Sequence, residues 1–427
     1  MIKKITLIGI MLFLFWISFF PEPVQDHYKV TIRFFLVLLL LLTLLNRATT
    51  KAKSIPVLDL CFWVYIFTIS LSINFAENAD VALAKFLIFS IPAVLIFYLF
   101  KMYFSLDNYK MVFASLAIFS TTIAIFGISE LFLKKNFLYE KFIFNVFYNR
   151  FISQGRIMST LIHPNILGSY LLTCCPFSYY FVHYRNSKAI RSLGIASFTI
   201  LIIGMIFTLS RGTWLAGIIV LYIYLMKINK KRLFVIIILL LLLFSLYSQF
   251  LSNNSVLEYR FGIISLAKYL NYGHRIIKYP MTFRILSEHP FVGLGLGNYR
   301  LLFDRYFILL FNSDGRYKLS YFPDELKITD SVYLGHLGET GIIGFLGFSI
   351  FLIMLFKKII DYIHLSEDSD IKIILPVIAF ALFGLLLNMS TFDAFYWYTP
   401  MYLFWVLVGI AVAIISKKRY AKDDKAN

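Results

Sequence analysis

The sequence has 427 residues, of which 60% are hydrophobic, 19% aromatic and only 15% charged, and its mean hydropathy is +0.78. Soluble domains contain roughly 45–50% apolar and about 25% charged residues, so this composition excludes an ordinary soluble fold. The formal net charge is +18, from 41 Lys and Arg against 23 Asp and Glu. A charge of this size fits either a nucleic-acid-binding protein or a membrane protein, and its distribution along the chain decides between them.

Apolar runs long enough to cross a bilayer recur along the whole chain. About 20 residues span the hydrocarbon core, and about twelve runs of roughly this length lie at 4–20, 30–46, 57–75, 83–100, 111–132, 165–183, 192–209, 213–227, 232–250, 340–356, 372–390 and 399–416. They are too long and too uniformly apolar for barrel strands. Because backbone polar groups in hydrocarbon are satisfied within helices, the pattern predicts an all-α, polytopic transmembrane bundle of about 12 spans, in which residues 1–427 form one integral-membrane domain.

The basic residues favour one orientation of these spans. With a cytoplasmic N-terminus, the short inner segments hold 22 of the 41 Lys and Arg, namely Lys3, Lys4, Arg47, Lys51, Lys53, Lys101, Lys110, Arg185, Lys188, Arg191, Lys227, Lys230, Lys231, Arg232, Lys357, Lys358, Lys372, Lys417, Lys418, Arg419, Lys422 and Lys425. The short outer segments at 76–82 and 391–398 hold none. Cytoplasmic loops concentrate positive charge. We therefore expect both termini in the cytoplasm, a location in the cytoplasmic membrane, and no nucleic-acid partner.

Two outer segments, 133–163 and 251–339, are long and basic despite this rule. A connection of about 80 residues is far longer than usual and is generally functional or disordered. The second segment is rich in Tyr, Phe, Leu and Ile and has no low-complexity run. It is predicted to pack as short helices over the outer end of the bundle and to form a large extracytoplasmic catalytic loop, with 133–163 as the first extracytoplasmic loop.

Arg211 lies in the sequence Ser210-Arg211-Gly212, at the outer junction between two apolar runs. One interpretation is an arginine whose side chain extends from a helix end along the apolar surface to water. The junction, however, has almost no loop and carries a small residue on each side, so the guanidinium is predicted to stay at membrane depth. An ionisable group in that position is a functional hypothesis by default.

Glycines and a carboxylate mark the end of the long outer segment. The glycines at 293, 295 and 297 lack the strand and helix context of a dinucleotide site, and they predict a tight loop-to-helix connection. In the sequence Thr329-Asp330-Ser331, either Asp330 or Thr329 would serve as an ordinary N-cap of the helix that follows. Capping and catalysis are compatible functions for Asp330.

Arg211, Arg275 and Asp330 are all predicted on the outer side of the membrane. Arginine has a forked set of donors suited to diphosphate oxygens and keeps its charge at any working pH. A neighbouring Asp or His can take a proton from an attacking hydroxyl. This combination favours an anionic, lipid-linked substrate.

With these motifs the sequence resembles the bacterial O-antigen ligase and polysaccharide polymerase family. The resemblance covers most of the chain and is sharpest from 156 to 345. It rests on four motifs in the family's order, namely Arg156-Ile157-Met158-Ser159-Thr160 with His163-Pro164-Asn165, Ser210-Arg211-Gly212, Arg275 followed by His289-Pro290 and Gly293-Leu294-Gly295, and Gly341-Ile342-Ile343-Gly344.

The resemblance implies a membrane glycosyltransferase similar to the GT-C type, which uses an undecaprenyl diphosphate-linked glycan as donor and has no metal or other cofactor. It also implies that Arg211 and Arg275 hold the donor diphosphate during an inverting displacement. Further substrate-binding candidates are Arg156, Asn165, Arg284, Ser331 and His336. Implied partners are the lipid-linked donor, a glycan or lipid A core acceptor, the bilayer, and a chain-length regulator or flippase of the same pathway.

One position departs from the family. Ligases carry a His followed by Asn, Ser or Gln, nine residues and Gly-x-x-Gly, and counting back from Gly341 places Asp330 at that His and Ser331 after it. The candidate base is thus a carboxylate, whose free pKa is about 3.9. His336 and His289 are alternatives to it. The departure favours a polymerase that joins lipid-linked repeat units of O-antigen, capsule or exopolysaccharide.

Two alternatives remain beside the polymerase. A ligase would transfer the finished glycan to a lipid A core. A flippase or other transporter of lipid-linked oligosaccharides usually has paired repeats with broken helices at the membrane midplane, and the sequence contains neither.

Overall fold

A computed structural model of the protein describes residues 2–20, 29–47, 56–104, 108–134, 155–161, 163–184, 186–226, 278–311 and 327–423. Within these ranges the chain is helical and contains no strand. The α-helices are Ile2–Phe19 (α1), Lys29–Arg47 (α2), Pro56–Asn74 (α3), Ala79–Tyr103 (α4), Tyr109–Leu133 (α5), Pro164–Val182 (α6), Lys188–Phe207 (α7), Arg211–Met226 (α8), Lys278–Glu288 (α9), Asn298–Phe311 (α10), Val332–Leu365 (α11), Ser369–Asn388 (α12) and Tyr398–Asp423 (α13).

Among the described residues, seven helices are long and apolar enough to cross a membrane, namely α3, α4, α5, α7, α11, α12 and α13. Shorter apolar helices lie at Lys4–Phe19, Val30–Leu42 and Arg211–Ile223. The chain is therefore a polytopic helical membrane protein. Every predicted run coincides with a helix except 232–250, which lies outside the described residues, so the total of about twelve spans stays a prediction.

One helix is longer than the sequence indicated. α11 begins at Val332, whereas its apolar run was predicted to begin at 340. The difference arises because the first turns carry polar and small residues, including His336 and Glu339. These residues are helical but too polar to belong to a hydropathy run.

Helix α13 forms the centre of the bundle. Its apolar segment Tyr398–Ser416 is buried throughout, whereas the other long helices expose apolar faces. Trp405, at its middle, is fully buried and packs against Phe62 of α3 and Phe351 of α11, with ring centroids 5.4 and 6.0 Å away. In lipid, helices associate mainly through such close packing and hydrogen bonds, so α13 provides the surface on which its neighbours assemble.

Connections at one end of the bundle bind to each other through hydrogen bonds. Thr160 donates to the carbonyl oxygen of Ser18 over 3.1 Å, and the backbone N–H of Ile157 donates to Phe207 O over 3.1 Å. The backbone N–H of Asn78 donates to Asn298 Oδ1 over 3.1 Å. We call this the outer end, because the charge pattern predicts it to be extracytoplasmic.

The segment between α9 and α10 binds to a break in α11 through backbone atoms. The backbone N–H groups of Leu294 and Gly295 donate to Gly338 O and Glu339 O over 3.0 and 2.8 Å. In return, the N–H groups of Ile342 and Ile343 donate to Pro290 O and Phe291 O over 2.9 and 3.1 Å. The segment is thereby fixed on α11 by four hydrogen bonds.

Glycines make this contact sterically feasible. Gly341 has φ 64° and ψ −166°, a conformation that is essentially restricted to glycine. A Cβ on Gly341 would lie 2.4 Å from the carbonyl carbon of Phe291, and a Cβ on Gly293 would lie 2.6 Å from that of Glu339. The two glycine motifs found in the sequence therefore pack directly against each other.

Candidate functional site

Asp330 forms an ion pair that the sequence did not indicate. Its carboxylate accepts a hydrogen bond from Nζ of Lys278, the first residue of α9. The Lys278 side chain is 0% exposed and that of Asp330 is 22% exposed. Asp330 also has a positive φ of 55°, which Asp tolerates better than most residues. The pair holds α9 against the start of α11 and orients the carboxylate.

The N-cap of α11 is Ser331, and the alternative that Asp330 or Thr329 caps this helix is wrong. Ser331 Oγ accepts from the backbone N–H of Leu334 over 3.5 Å. Thr329 Oγ1 instead donates to Asp393 Oδ2 over 2.7 Å. Ser331 is buried and its hydroxyl is used in the cap. Its predicted contact with substrate stays a prediction.

Arg211 is the first residue of α8 and its side chain is exposed at the outer end. Gly212 allows this turn to contact the connection between α12 and α13, since a Cβ on it would lie 1.9 Å from Thr391 Oγ1. Asn388, at the end of α12, donates from Nδ2 to Thr213 Oγ1 over 3.2 Å. The small residue after Arg211 therefore has a packing function.

Arg156 and Asn165 lie beside the turn that carries Arg211. Arg156 Nε donates to the carbonyl oxygen of Thr208 over 2.8 Å, and its Nη2 donates to Asn165 Oδ1 over 3.1 Å. The Arg156 side chain is largely buried. These contacts give Arg156 and Asn165 a positioning function for the α7–α8 turn, and their direct contact with substrate stays a prediction.

The connection between α12 and α13, residues 389–397, joins the two halves of the site. At one side Thr391 packs against Gly212, next to Arg211. At the other side Met389 O accepts from the backbone N–H of Val332 over 3.0 Å, close to Asp330. The fold therefore brings chain neighbours of Arg211 and Asp330 into contact with the same short connection.

Two other predicted site residues, Arg284 and Arg275, are not brought next to Arg211 and Asp330 by any described contact. Arg284 is on the exposed face of α9, where its Nε donates to Glu288 Oε1 over 2.7 Å. Partial burial acts to raise the pKa of Glu288, but hydrogen bonds from Tyr306 and Arg284 outweigh it and lower the pKa. Arg275 lies outside the described residues.

His336 is buried in α11 with both ring nitrogens engaged. Its Nδ1 lies 3.1 Å from the carbonyl oxygen of Val332, and its Nε2 lies 2.7 Å from the hydroxyl of Tyr65. Because a carbonyl only accepts, Nδ1 carries the proton and Nε2 accepts from Tyr65. This arrangement offers no basic nitrogen to a substrate, so it does not favour His336 as the base.

A cavity of about 500 Å³ lies beside Asp330 at the outer end. It is enclosed by α3, α4, α10, α11 and the turn before α13. Four of its lining residues are charged, namely Lys85, Arg300, Glu339 and Asp393. None of the sequence motifs pointed to this cavity, although Lys85 interrupts an apolar run and an ionisable residue within a span is a signal of function.

The two cations of the cavity, Arg300 and Lys85, both lie beside Tyr396. Arg300 Nη1 donates to the Tyr396 hydroxyl over 2.6 Å, and Lys85 Nζ lies 4.6 Å from the centroid of the same ring. Burial raises the pKa of Asp393, although the hydrogen bond from Thr329 and the charge of Lys85 act in the opposite direction. A carboxylate kept in so unfavourable an environment is a further candidate for function.

Residues 196–349 match the family model for O-antigen ligase. Over this stretch the chain is similar to the O-antigen ligase domain. The domain contains Arg211, Asp330 and both glycine motifs, and it confirms the resemblance predicted from the sequence. The match supports a function of the O-antigen ligase or polymerase type. A search of curated proteins finds no match to the chain.

Proposed function

We propose that this O-antigen ligase domain protein is a polysaccharide polymerase of the bacterial cytoplasmic membrane. It transfers a growing glycan from undecaprenyl diphosphate to the terminal sugar of another lipid-linked repeat unit, on the outer leaflet. The observation that carries the proposal is that Gly212, next to Arg211, and Val332, two residues after Asp330, both contact residues 389–397. One group suits the leaving diphosphate and the other suits the attacking hydroxyl.

The reaction is a direct displacement at the anomeric carbon of the donor. The acceptor hydroxyl oxygen forms the new bond to that carbon, and the bond to the diphosphate oxygen breaks with its electron pair. Attack opposite to the leaving group inverts the anomeric configuration. The hydroxyl proton passes to a base, and undecaprenyl diphosphate leaves with its additional negative charge.

Arg211 stabilises the leaving diphosphate in this proposal. Its guanidinium stands at the first residue of α8, where the helix dipole also favours an anion. Positive charge aimed at the developing oxyanion lowers the barrier. With the charge supplied by arginine, the step needs no metal ion. Arg275 would add a second guanidinium.

Asp330 is the proposed base. Part of its side chain is exposed, so an acceptor hydroxyl can reach the carboxylate while Lys278 fixes its orientation. A carboxylate within hydrogen-bond distance of the hydroxyl can accept the proton as the new bond forms. Its presence at the position of the ligase His supports a polymerase, whereas the match to the O-antigen ligase model supports a ligase that uses a lipid A core acceptor.

The test uses the purified full chain in liposomes with undecaprenyl diphosphate-linked repeat units. We expect a ladder of polymer from wild type and none from Arg211→Ala. The matched control is Arg305→Ala, which removes an exposed arginine paired with Glu77 at the same end. An unchanged ladder in Arg211→Ala would contradict the diphosphate assignment.

The acceptor decides between the two transferase functions. Ladder formation from repeat units alone supports the polymerase. Product that forms only after lipid A core is added supports the ligase. Movement of the lipid-linked glycan across the bilayer with no transfer product would instead support the transporter.

A further inference from the structure

The cavity beside Asp330 adjoins the proposed base through two of its lining residues. Thr329, the neighbour of Asp330 in the chain, lies in the wall and donates to Asp393. Tyr299 also lies in the wall and is buried, and its hydroxyl donates to the carbonyl oxygen of Lys278 over 3.4 Å. A molecule bound in the cavity would therefore lie next to the Asp330–Lys278 pair.

The charged groups that line the cavity include both signs. Glu339 lies beside the backbone N–H groups of Gly297 and Tyr299, and it faces both Lys85 and Asp393. Two cations and two carboxylates thus surround one space of about 500 Å³. This volume is within the range of about 300–1,000 Å³ that is usual for small-molecule sites, and it would hold roughly one or two sugar rings.

This charge pattern argues against binding of the diphosphate and of the polyprenyl tail, two of the three chemical parts of the substrates. A diphosphate would be repelled by Glu339 and Asp393. A polyprenyl tail would cover four charged groups with hydrocarbon and remove them from water, which is costly. A sugar fits, because each hydroxyl can donate to a carboxylate and also accept from Lys85 or Arg300.

We propose that this cavity binds a terminal sugar of the acceptor glycan, with Asp393 and Glu339 accepting from its hydroxyls and Lys85 donating to them. The inference rests on the proposed function, because an acceptor site is needed here only if glycan transfer takes place at Asp330. A sugar held there presents a free hydroxyl towards Asp330, while the donor diphosphate lies at Arg211. The cavity is then the part of the protein that selects the acceptor.

The first test measures sugar binding without turnover. The ligand is the lipid-free oligosaccharide repeat unit, released by mild acid from the carrier lipid of the cells that make this protein, and binding is followed by calorimetry on the full chain in detergent. Lys85→Met, Asp393→Asn and Glu339→Gln are each expected to weaken binding roughly ten- to hundredfold, as the loss of a charge-assisted hydrogen bond would. Glu77→Gln, an exposed carboxylate at the same end, is the matched control and should bind as wild type.

Equal binding by wild type and by all three cavity variants would overturn the inference. A variant that fails to fold, as judged by gel filtration, is replaced in the comparison by the other two. Because this measurement involves no transfer, it can fail while polymer formation succeeds, and the reverse also holds.

A second measurement tests whether the cavity binds a sugar of the acceptor or a sugar of the donor. In the polymerisation assay, the cavity variants should raise the KM for the acceptor at least tenfold and leave the KM for the donor within about twofold. A raised donor KM with an unchanged acceptor KM would overturn the assignment to the acceptor and place a donor sugar in the cavity.

Discussion

Nζ of Lys278 donates a hydrogen bond to the carboxylate of Asp330, and so links the first residue of α9 to the residue two positions before α11. Lys278 is fully buried, so this ion pair helps to stabilise its charge. Asp330 therefore stabilises the fold as well as serving as the proposed base. Any substitution of Asp330 affects both functions, and the experiments have to separate them.

Asp330→Asn should abolish transfer and also destabilise the protein. Removing one partner of a buried ion pair costs on the order of 3 kcal/mol, because the other charge is left unpaired. Polymer formation and thermal unfolding in detergent measure the two effects.

The double variant Lys278→Met with Asp330→Asn distinguishes the loss of the proposed base from the loss of stability. With the buried charge removed, the unfolding temperature should return to near the wild-type value, while transfer stays absent. Recovery of transfer together with stability would show that Asp330 is structural and that another group takes the proton.

Gly341→Ala should loosen the contact between α11 and the segment before α10. Alanine disfavours φ 64°, ψ −166°, and its Cβ would meet the carbonyl carbon of Phe291 at 2.4 Å. A strained backbone conformation of this type costs on the order of 1–3 kcal/mol. The measurement is the unfolding temperature together with hydrogen exchange at residues 290–295.

Gly217→Ala is the control for this substitution. Gly217 lies within α8, and the nearest atom to an added Cβ is 3.6 Å away. Alanine favours helix, so stability should be unchanged or slightly raised. Equal destabilisation by both substitutions would contradict a special function for Gly341.

Arg156→Lys should reduce transfer although the positive charge is kept. Lysine lacks the planar fork that contacts Thr208 O and Asn165 Oδ1 together. The α7–α8 turn then loses a charge-assisted hydrogen bond worth about 1.5–3 kcal/mol, and Arg211 is less well positioned. We expect at least a tenfold lower rate of polymer formation, and a wild-type rate would contradict this.

Asp393→Asn should stabilise the protein at neutral pH. Burial raises the pKa of Asp393 in the folded state, so the folded protein binds this proton more tightly than the unfolded chain does. Its contribution to stability therefore falls as pH rises from the unfolded pKa through the folded pKa. The unfolding temperature of Asp393→Asn should exceed that of wild type at pH 7, and the difference should shrink towards pH 4. A larger advantage at pH 4 would contradict the direction of the shift.

The helices were predictable because each apolar run is a local property of the sequence, and the Ser210-Arg211-Gly212 junction was found in the same way. Two features of the site were not, since they depend on distant contacts. Lys278 and Asp330 are 52 positions apart, and Lys85 meets Asp393 only after α4 packs near the turn before α13. Local pattern also misassigned the cap of α11, because Thr329, Asp330 and Ser331 are all good capping residues.

The length of α11 indicates where Asp330 lies relative to the hydrocarbon core of the membrane. At 1.5 Å per residue, the part of α11 from Ile342 to Leu365 is by itself long enough to cross a hydrocarbon core about 30 Å thick. The polar turns before Gly341 are therefore expected among the lipid headgroups. A lipid-linked substrate could thus reach the site by diffusing within the leaflet, while its long tail stays in the hydrocarbon core.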